Sequence, residues 1–120
     1  GAGHVHIGWG SFDKQDPELF EQCRYLTMYL DYYLGQPLSR VAMDYERTRL
    51  YGGPGCFRPT NFGLEYRSPS NYWLSSKERV EFVINQTIKA VDAAKSGSIE
   101  PSTLWRNQNS FCIGEDVACP

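Results

Sequence analysis

The chain has 120 residues and a formal net charge of −2, and 41% of its residues are hydrophobic. This length suits one domain or part of a larger one, and the apolar content is sufficient for a core, which excludes wholesale disorder. The small charge argues against nucleic acid as a partner. A membrane is not expected either, because there is no signal peptide and no apolar run near the ~20 residues that span a bilayer.

The first predicted element is a strand at residues 3–9, where polar and apolar side chains alternate. Successive side chains of a strand point to opposite faces of its sheet. We therefore expect His4 and His6 to share one face, and Val5 and Ile7 to share the other.

A helix is predicted to begin at Asp16, because Asp is a favoured N-cap and Pro17 suits the first helical position. Apolar residues recur at helical spacing as far as Gly35, which is expected to end the helix. They are Leu19, Cys23, Leu26, Leu30 and Leu34. This pattern predicts a helix packed against the core.

Residues 36–62 show no regular periodicity. Residues 52–55 are rich in glycine and are expected to form a mobile loop, although no Gly-Lys-Ser/Thr follows them as a P-loop would require. Four arginines lie in this region, at positions 40, 47, 49 and 58. They form either a solvated face or pairs with carboxylates, which are the commoner outcomes, or a ligand site. Arg58 stands out because it precedes Glu65 by seven residues.

A second strand is predicted at residues 63–68, where Glu65 and Arg67 share one face and Leu64 and Tyr66 share the other. If both strands join one sheet with their apolar faces packed, the two imidazoles, the carboxylate and the guanidinium converge on the open face.

A second helix is predicted to follow a capping box at residues 75–78 and to end at Gly97. Its apolar residues form one stripe, typical of an amphipathic helix that covers a sheet. They are Val80, Val83, Ile84, Thr87, Ile88 and Val91. One short helical signal follows around Leu104 and Trp105, and the remaining tail to residue 120 is irregular.

The four cysteines lie at positions 23, 56, 112 and 119. Free thiols are the default expectation, because the spacing contains no close pair and Cys23 falls within a helical pattern. Two disulfides are an alternative, and structural zinc is less favoured.

Three or four short strands and two long helices predict an α+β fold with helices on one side of an antiparallel sheet. A doubly wound parallel fold is not expected, since the sequence has neither a regular βαβ order nor a glycine-rich turn of the dinucleotide-binding type.

The polar residues of the two strands suit a metal and a phosphate. Imidazole and carboxylate bind Mn²⁺ and Zn²⁺, carboxylate binds Mg²⁺, and a guanidinium clamps phosphoryl oxygens. This combination is typical of phosphoryl transfer. The alternatives are a surface or hydrogen-bonded histidine pair, and a cross-strand Glu–Arg ion pair contributing ~0–1 kcal/mol.

Several motifs resemble the glutamine synthetase and glutamate–cysteine ligase superfamily. They are the glycine-led His-x-His strand at 1–8, Phe57-Arg58-Pro59, Gly63-Leu64-Glu65-Tyr66-Arg67-Ser68-Pro69 and Asn71-Tyr72-Trp73. The run is most similar to the phage-type COOH–NH2 ligase (amidoligase) family, over residues 1 to about 95. The resemblance implies the C-terminal part of a glutamine synthetase-like catalytic domain. It also implies a ligase that activates a carboxylate with ATP as an acyl phosphate, which an amine converts to an amide.

The resemblance also implies roles for individual residues. His4 would bind the divalent ion shared with the ATP phosphates, and Glu65 would bind a second ion. Arg67 would stabilise the transferring γ-phosphoryl group, and Arg58 would contact phosphate or the substrate carboxylate. His6 would ligate metal or support the nucleotide side. The implied cofactors are ATP and Mg²⁺ or Mn²⁺.

Two neighbouring segments receive supporting roles from the same resemblance. Asn71 would form a turn that shapes the pocket. The loop at 52–55 would close over the substrate, because water must be kept away from an acyl phosphate.

One departure from the family is important. Its members draw further metal-binding carboxylates from paired glutamates in an N-terminal half, which this sequence lacks. We therefore expect a C-terminal portion that needs that half, a partner chain or oligomerisation to complete its site, consistent with the missing initiator Met. The expected location is the cytoplasm of a bacterium or of a phage-infected host. The alternative is a non-catalytic binding or structural module, such as a phage-encoded product, that keeps the fold without the reaction.

Overall fold

A computed structural model describes residues 3–42, 54–69 and 71–110. In chain order its elements are β1 (Val5–Gly8), α1 (Pro17–Leu30), a π-helical segment (Asp31–Gly35), α2 (Gln36–Ala42), β2 (Phe57–Pro59), β3 (Gly63–Tyr66), a 3-10 turn (Asn71–Ser75), α3 (Lys77–Ser96) and α4 (Pro101–Gln108). This combination of helices and strands confirms the α+β prediction. Over the described ranges, no helix combines the length and the apolar character needed to cross a membrane.

The three strands form an antiparallel sheet in the order β1-β3-β2, with β3 in the centre. Glu65 of β3 lies directly opposite His6 on one side and Arg58 on the other. Residues directly opposite each other in an antiparallel pair point to the same face. The antiparallel prediction is confirmed, and β2 is a strand that lies within the region predicted to be irregular.

The apolar face of the sheet packs against α1. Leu64 and Tyr66 are fully buried, and Ile7 packs against the same core. The Cys23 thiol of α1 donates to the Gly63 carbonyl oxygen at 3.4 Å, which ties the helix to the start of β3. Gly63 has a φ of 152°, and a Cβ at this position would collide with the Ile7 carbonyl oxygen. Glycine is therefore required at the start of β3, beside the main chain of β1.

Helix α1 begins where the sequence predicts. The Asp16 carboxylate accepts the main-chain N–H of Glu18 at 2.9 Å, and Pro17 occupies the first turn. This N-cap satisfies a donor that has no partner within the helix.

The prediction that Gly35 ends this helix is wrong. The chain passes through the π-helical segment and continues as α2, which contains Pro37. Because proline has no N–H, the carbonyl four residues before it loses its helical partner. That carbonyl, of Tyr33, accepts instead from the Gln86 side chain of α3 at 2.7 Å. A long-range hydrogen bond thus allows the helix to continue.

Helix α3 begins after Ser76, whose hydroxyl accepts the Arg79 N–H at 3.2 Å, and ends at Gly97 with φ 62°. It packs mainly on α1, the π-helical segment and the 3-10 turn, and not on the sheet as predicted, because α1 already covers the apolar face. Its predicted stripe is only partly buried: Val83 lies in the core, whereas Ile84 and Ile88 are 53% and 55% exposed.

The short helical signal near Leu104 corresponds to α4, and Leu104 is buried in the core. Cys23 is a buried free thiol, and burial raises its pKa to about 11. Cys56 is buried and disulfide-bonded, so the free-thiol expectation is wrong for that residue. The sequence could not reveal this bond, because cysteine spacing alone does not fix tertiary proximity. Cys112, Cys119 and the irregular tail from residue 111 lie outside the described residues.

Candidate functional site

Three polar side chains meet on the open face of the sheet, opposite α1. His4 Nδ1 lies 2.7 Å from Glu65 Oε1, although the two residues are 61 positions apart. On the other side, Arg58 Nε donates to Glu65 Oε2 at 2.7 Å, and a terminal nitrogen of the same guanidinium forms an ion pair with that oxygen at 2.6 Å. The structure thus brings His4 and Glu65 together as predicted, and it adds Arg58. We call these three residues the carboxylate cluster.

The sheet fixes the geometry of the carboxylate cluster. Glu65 lies on the central strand, with Arg58 directly opposite on β2. His4 immediately precedes β1. The main-chain N–H and carbonyl of the preceding residue, Gly3, both form hydrogen bonds. The Gly3 N–H donates to the Pro69 carbonyl at 3.3 Å, and the Gly3 carbonyl accepts from Trp73 Nε1 at 2.9 Å.

Glu65 is an ionised group at neutral pH. Its side chain is only 5% exposed, and burial by itself raises the pKa of the carboxyl group. The hydrogen bonds and charges of His4 and Arg58 act in the opposite direction and outweigh burial, so the pKa is lowered overall. The Arg58 side chain is 62% exposed, so solvent reaches the cluster from the β2 side.

His6 and Arg67 flank the carboxylate cluster. His6 is exposed and lies opposite Glu65 in the strand register, which places it on the open face. Arg67 is half-buried directly after β3, and its main-chain N–H donates to the Cys56 carbonyl at 2.8 Å. The predicted roles of both residues stay predictions.

The carboxylate cluster offers ligand types that a divalent ion accepts, namely an imidazole and a carboxylate. Within the described ranges, however, no group of three or more His, Cys, Asp or Glu side chains could hold a metal ion. Mg²⁺ in nucleotide enzymes commonly takes one or two carboxylates and completes its shell with phosphate and water. His4 and Glu65 therefore fit part of such a ligand set.

The neighbouring loop and turn are described in part. Pro54 and Gly55 form a turn in which Gly55 has a φ of 75°. Gly52 and Gly53 lie outside the described residues, as do Arg47 and Arg49. A 3-10 turn does begin at Asn71, and the predicted role of this turn in shaping the pocket stays a prediction.

The buried carboxylate of Asp31 links the elements beneath the site. This role was not predicted from the sequence. Asp31 accepts from the Tyr66 hydroxyl at 2.6 Å, and from the Gly55 N–H and Gln108 Nε2 at 2.8 Å each. It is fully buried, and burial raises its pKa to about 6 although these hydrogen bonds and one from Ser68 oppose the rise.

The network of Asp31 joins the loop before β2, the strand β3 and helix α4. Tyr66 is the neighbour of Glu65, and Gly55 leads into the strand that carries Arg58. Asp31 thereby helps to set the positions of both strands. The signal in the sequence was its spacing, since Asp31 lies between Leu30 and Leu34 on the apolar side of the helical pattern.

The carboxylate cluster therefore presents a partly exposed guanidinium, an ionised carboxylate and an imidazole on one open surface. Such a surface suits an anionic ligand and a cation together. Comparisons of the chain with family models, with curated proteins and with solved structures find no match.

Proposed function

We propose that this chain is the C-terminal portion of an ATP-dependent carboxylate–amine ligase, similar to the phage-type amidoligases of the glutamine synthetase superfamily. One observation supports this proposal above all. The residues that the resemblance marks in separate motifs, His4, Arg58 and Glu65, lie within hydrogen-bonding distance on one open face.

The proposed reaction has two steps. A carboxylate oxygen attacks the γ-phosphorus of ATP, the bond to the β–γ bridging oxygen breaks, and ADP leaves with both electrons of that bond. The amine nitrogen then attacks the carbonyl carbon of the acyl phosphate, inorganic phosphate departs and the nitrogen loses a proton. The products are an amide, ADP and phosphate. Charge neutralisation and positioning supply most of the catalysis in such phosphoryl transfers.

The open face supplies groups for these tasks. The exposed guanidinium of Arg58 is accessible to a phosphoryl or carboxylate group, and Arg67 is proposed to bind the transferring phosphoryl group. His4 and Glu65 are the proposed ligands of Mg²⁺ or Mn²⁺, which when bound would neutralise phosphate charge. His6, which lies opposite Glu65 in the strand register, is proposed to support the nucleotide side.

The proposal includes a second polypeptide segment. Because His4 and Glu65 form only part of a metal ligand set within the described residues, an N-terminal half or a partner chain would contribute the remaining carboxylates. The proposed substrates are a small-molecule or peptide carboxylate and an amine.

A non-catalytic binding or structural module is the second candidate. The observation that favours it is that both Glu65 oxygens already have partners within the chain. A carboxylate satisfied in this way stabilises a sheet without any ligand.

A hydroxylamine assay distinguishes the two candidates. The chain is incubated with Mg·ATP, a set of amino-acid and dicarboxylic-acid substrates and hydroxylamine, alone and together with the polypeptide encoded immediately upstream. A ligase is expected to release ADP, phosphate and a hydroxamate in equal amounts, and EDTA should stop all three. ADP release that never depends on a carboxylate, or no release in either preparation, would favour the module.

A further inference from the structure

We infer that Arg58 and a divalent cation exclude one another at Glu65, so that a cation enters the carboxylate cluster only when the Arg58 guanidinium leaves. This inference rests on the proposed function, which places a cation at Glu65. It goes further because it assigns Arg58 two alternating partners, the carboxylate and an anionic substrate.

Both oxygens of Glu65 already have partners. Oε1 lies 2.7 Å from His4 Nδ1, and Oε2 accepts from Arg58 Nε at 2.7 Å, with a terminal nitrogen of the same guanidinium 2.6 Å away. The guanidinium therefore occupies the space in front of Oε2, and a cation can bind this oxygen only by replacing Arg58.

Charge and burial at Glu65 also favour this exclusion. Since the Glu65 side chain is 5% exposed, a cation near it would face the guanidinium at short distance in a poorly hydrated region, where like charges repel strongly. When Arg58 leaves, the incoming cation replaces its charge beside the buried carboxylate. The Arg58 side chain is 62% exposed and lies on the edge strand β2, so the released guanidinium becomes hydrated.

Release of Arg58 also affects the binding of an anionic substrate. A released Arg58 stays on the same open face, where its donors become available to phosphoryl or carboxylate oxygens. Cation binding and anion binding at the carboxylate cluster would then favour each other, and such coupling is reciprocal.

A titration with Mn²⁺ alone, followed by electron paramagnetic resonance of the free ion, tests the competition. Arg58→Gln removes the competitor and is expected to bind Mn²⁺ about tenfold more tightly than the wild-type chain. Arg24→Gln is the matched control, because it makes the same charge change in another Arg–Glu pair, at 3.0 Å from Glu21 on the surface of α1. Its affinity should stay within about twofold of wild type, as expected for an exposed pair.

A second measurement observes Arg58 itself in the wild-type chain. The ¹⁵Nε–¹Hε resonance of Arg58 should move to the position of a solvated guanidinium in step with Mg²⁺ saturation. The inference is overturned if Arg58→Gln binds Mn²⁺ no more tightly than Arg24→Gln, if neither binds it, or if the Arg58 resonance is unchanged at saturation. Since these titrations contain no nucleotide or carboxylate, their outcome is independent of whether the ligase assay succeeds.

Discussion

Glu65→Gln is expected to lower ATP-dependent hydroxamate formation by about 10²- to 10³-fold in the active preparation. The substitution keeps the size of the side chain but removes the charge at the centre of the carboxylate cluster. His4 and Arg58 lose their anionic partner, and the proposed cation loses a ligand. The measurement is the initial rate of hydroxamate formation at saturating Mg·ATP, with circular dichroism to confirm that the variant is folded.

Glu81→Gln is the control for this experiment. Glu81 lies on α3 with an exposed side chain, 3.8 Å from Lys77, so its substitution makes the same charge change in a weak surface pair. Its rate should remain within about twofold of wild type, as is usual for such surface changes. A folded Glu65→Gln variant with the wild-type rate would remove Glu65 from the proposed site.

Asp31→Asn is expected to stabilise the protein at neutral pH and to change how its stability depends on pH. Burial raises the pKa of Asp31 from 3.8 to about 6. The folded state therefore holds a proton that the unfolded state has lost between these two values, and the free energy of unfolding falls as the pH rises through this window. The loss is complete above about pH 6 and amounts to roughly 3 kcal/mol.

The substitution removes this loss because an amide carries no charge. The amide oxygen can accept from Gly55 and Gln108, while the amide nitrogen can donate to the Tyr66 oxygen, so contacts with these three partners remain possible. Urea unfolding at pH 4 to 8 should show a flatter profile between pH 4 and 6, and a higher free energy of unfolding at pH 7.5.

Glu65 changes the free energy of unfolding with pH in the opposite direction to Asp31. Because its pKa is lowered in the folded state, its stabilisation is present above about pH 4.5 and is lost as the pH falls through the folded value. Asp92→Asn, at an exposed position of α3, is the control for charge. An Asp31→Asn profile that coincides with the profiles of wild type and Asp92→Asn would contradict the assignment.

The parts of the fold that local rules determine were predictable from the sequence. The alternation around His4 and Glu65 indicated which side chains share a face, because the period of a strand is two residues. The start of α1 followed from Asp16, whose cap is a contact between near neighbours. The continuation of that helix past Gly35 was not predictable, because the donor for the Tyr33 carbonyl comes from Gln86, 53 positions away.

The same distinction applies to the candidate site. His4 and Glu65 could be paired from the sequence because each lies in an alternating segment. The pairing of Arg58 with Glu65 depends on the turn between β2 and β3, where Thr60 accepts the Gly63 N–H through its hydroxyl at 3.0 Å. Asp31 was missed because its partners come from three other parts of the chain, and no local pattern reports such an assembly.

The imidazole NMR spectrum tests most directly whether the carboxylate cluster binds a metal-bound nucleotide. The chain has two histidines, His4 and His6, so the spectrum contains signals from the open face of the sheet alone. Titration with Mg²⁺ and a non-hydrolysable ATP analogue is predicted to shift the His4 signals further than Mg²⁺ alone does, and Glu65→Gln should abolish the shift. Spectra of both imidazoles that stay unchanged at millimolar Mg·nucleotide would contradict the proposed site.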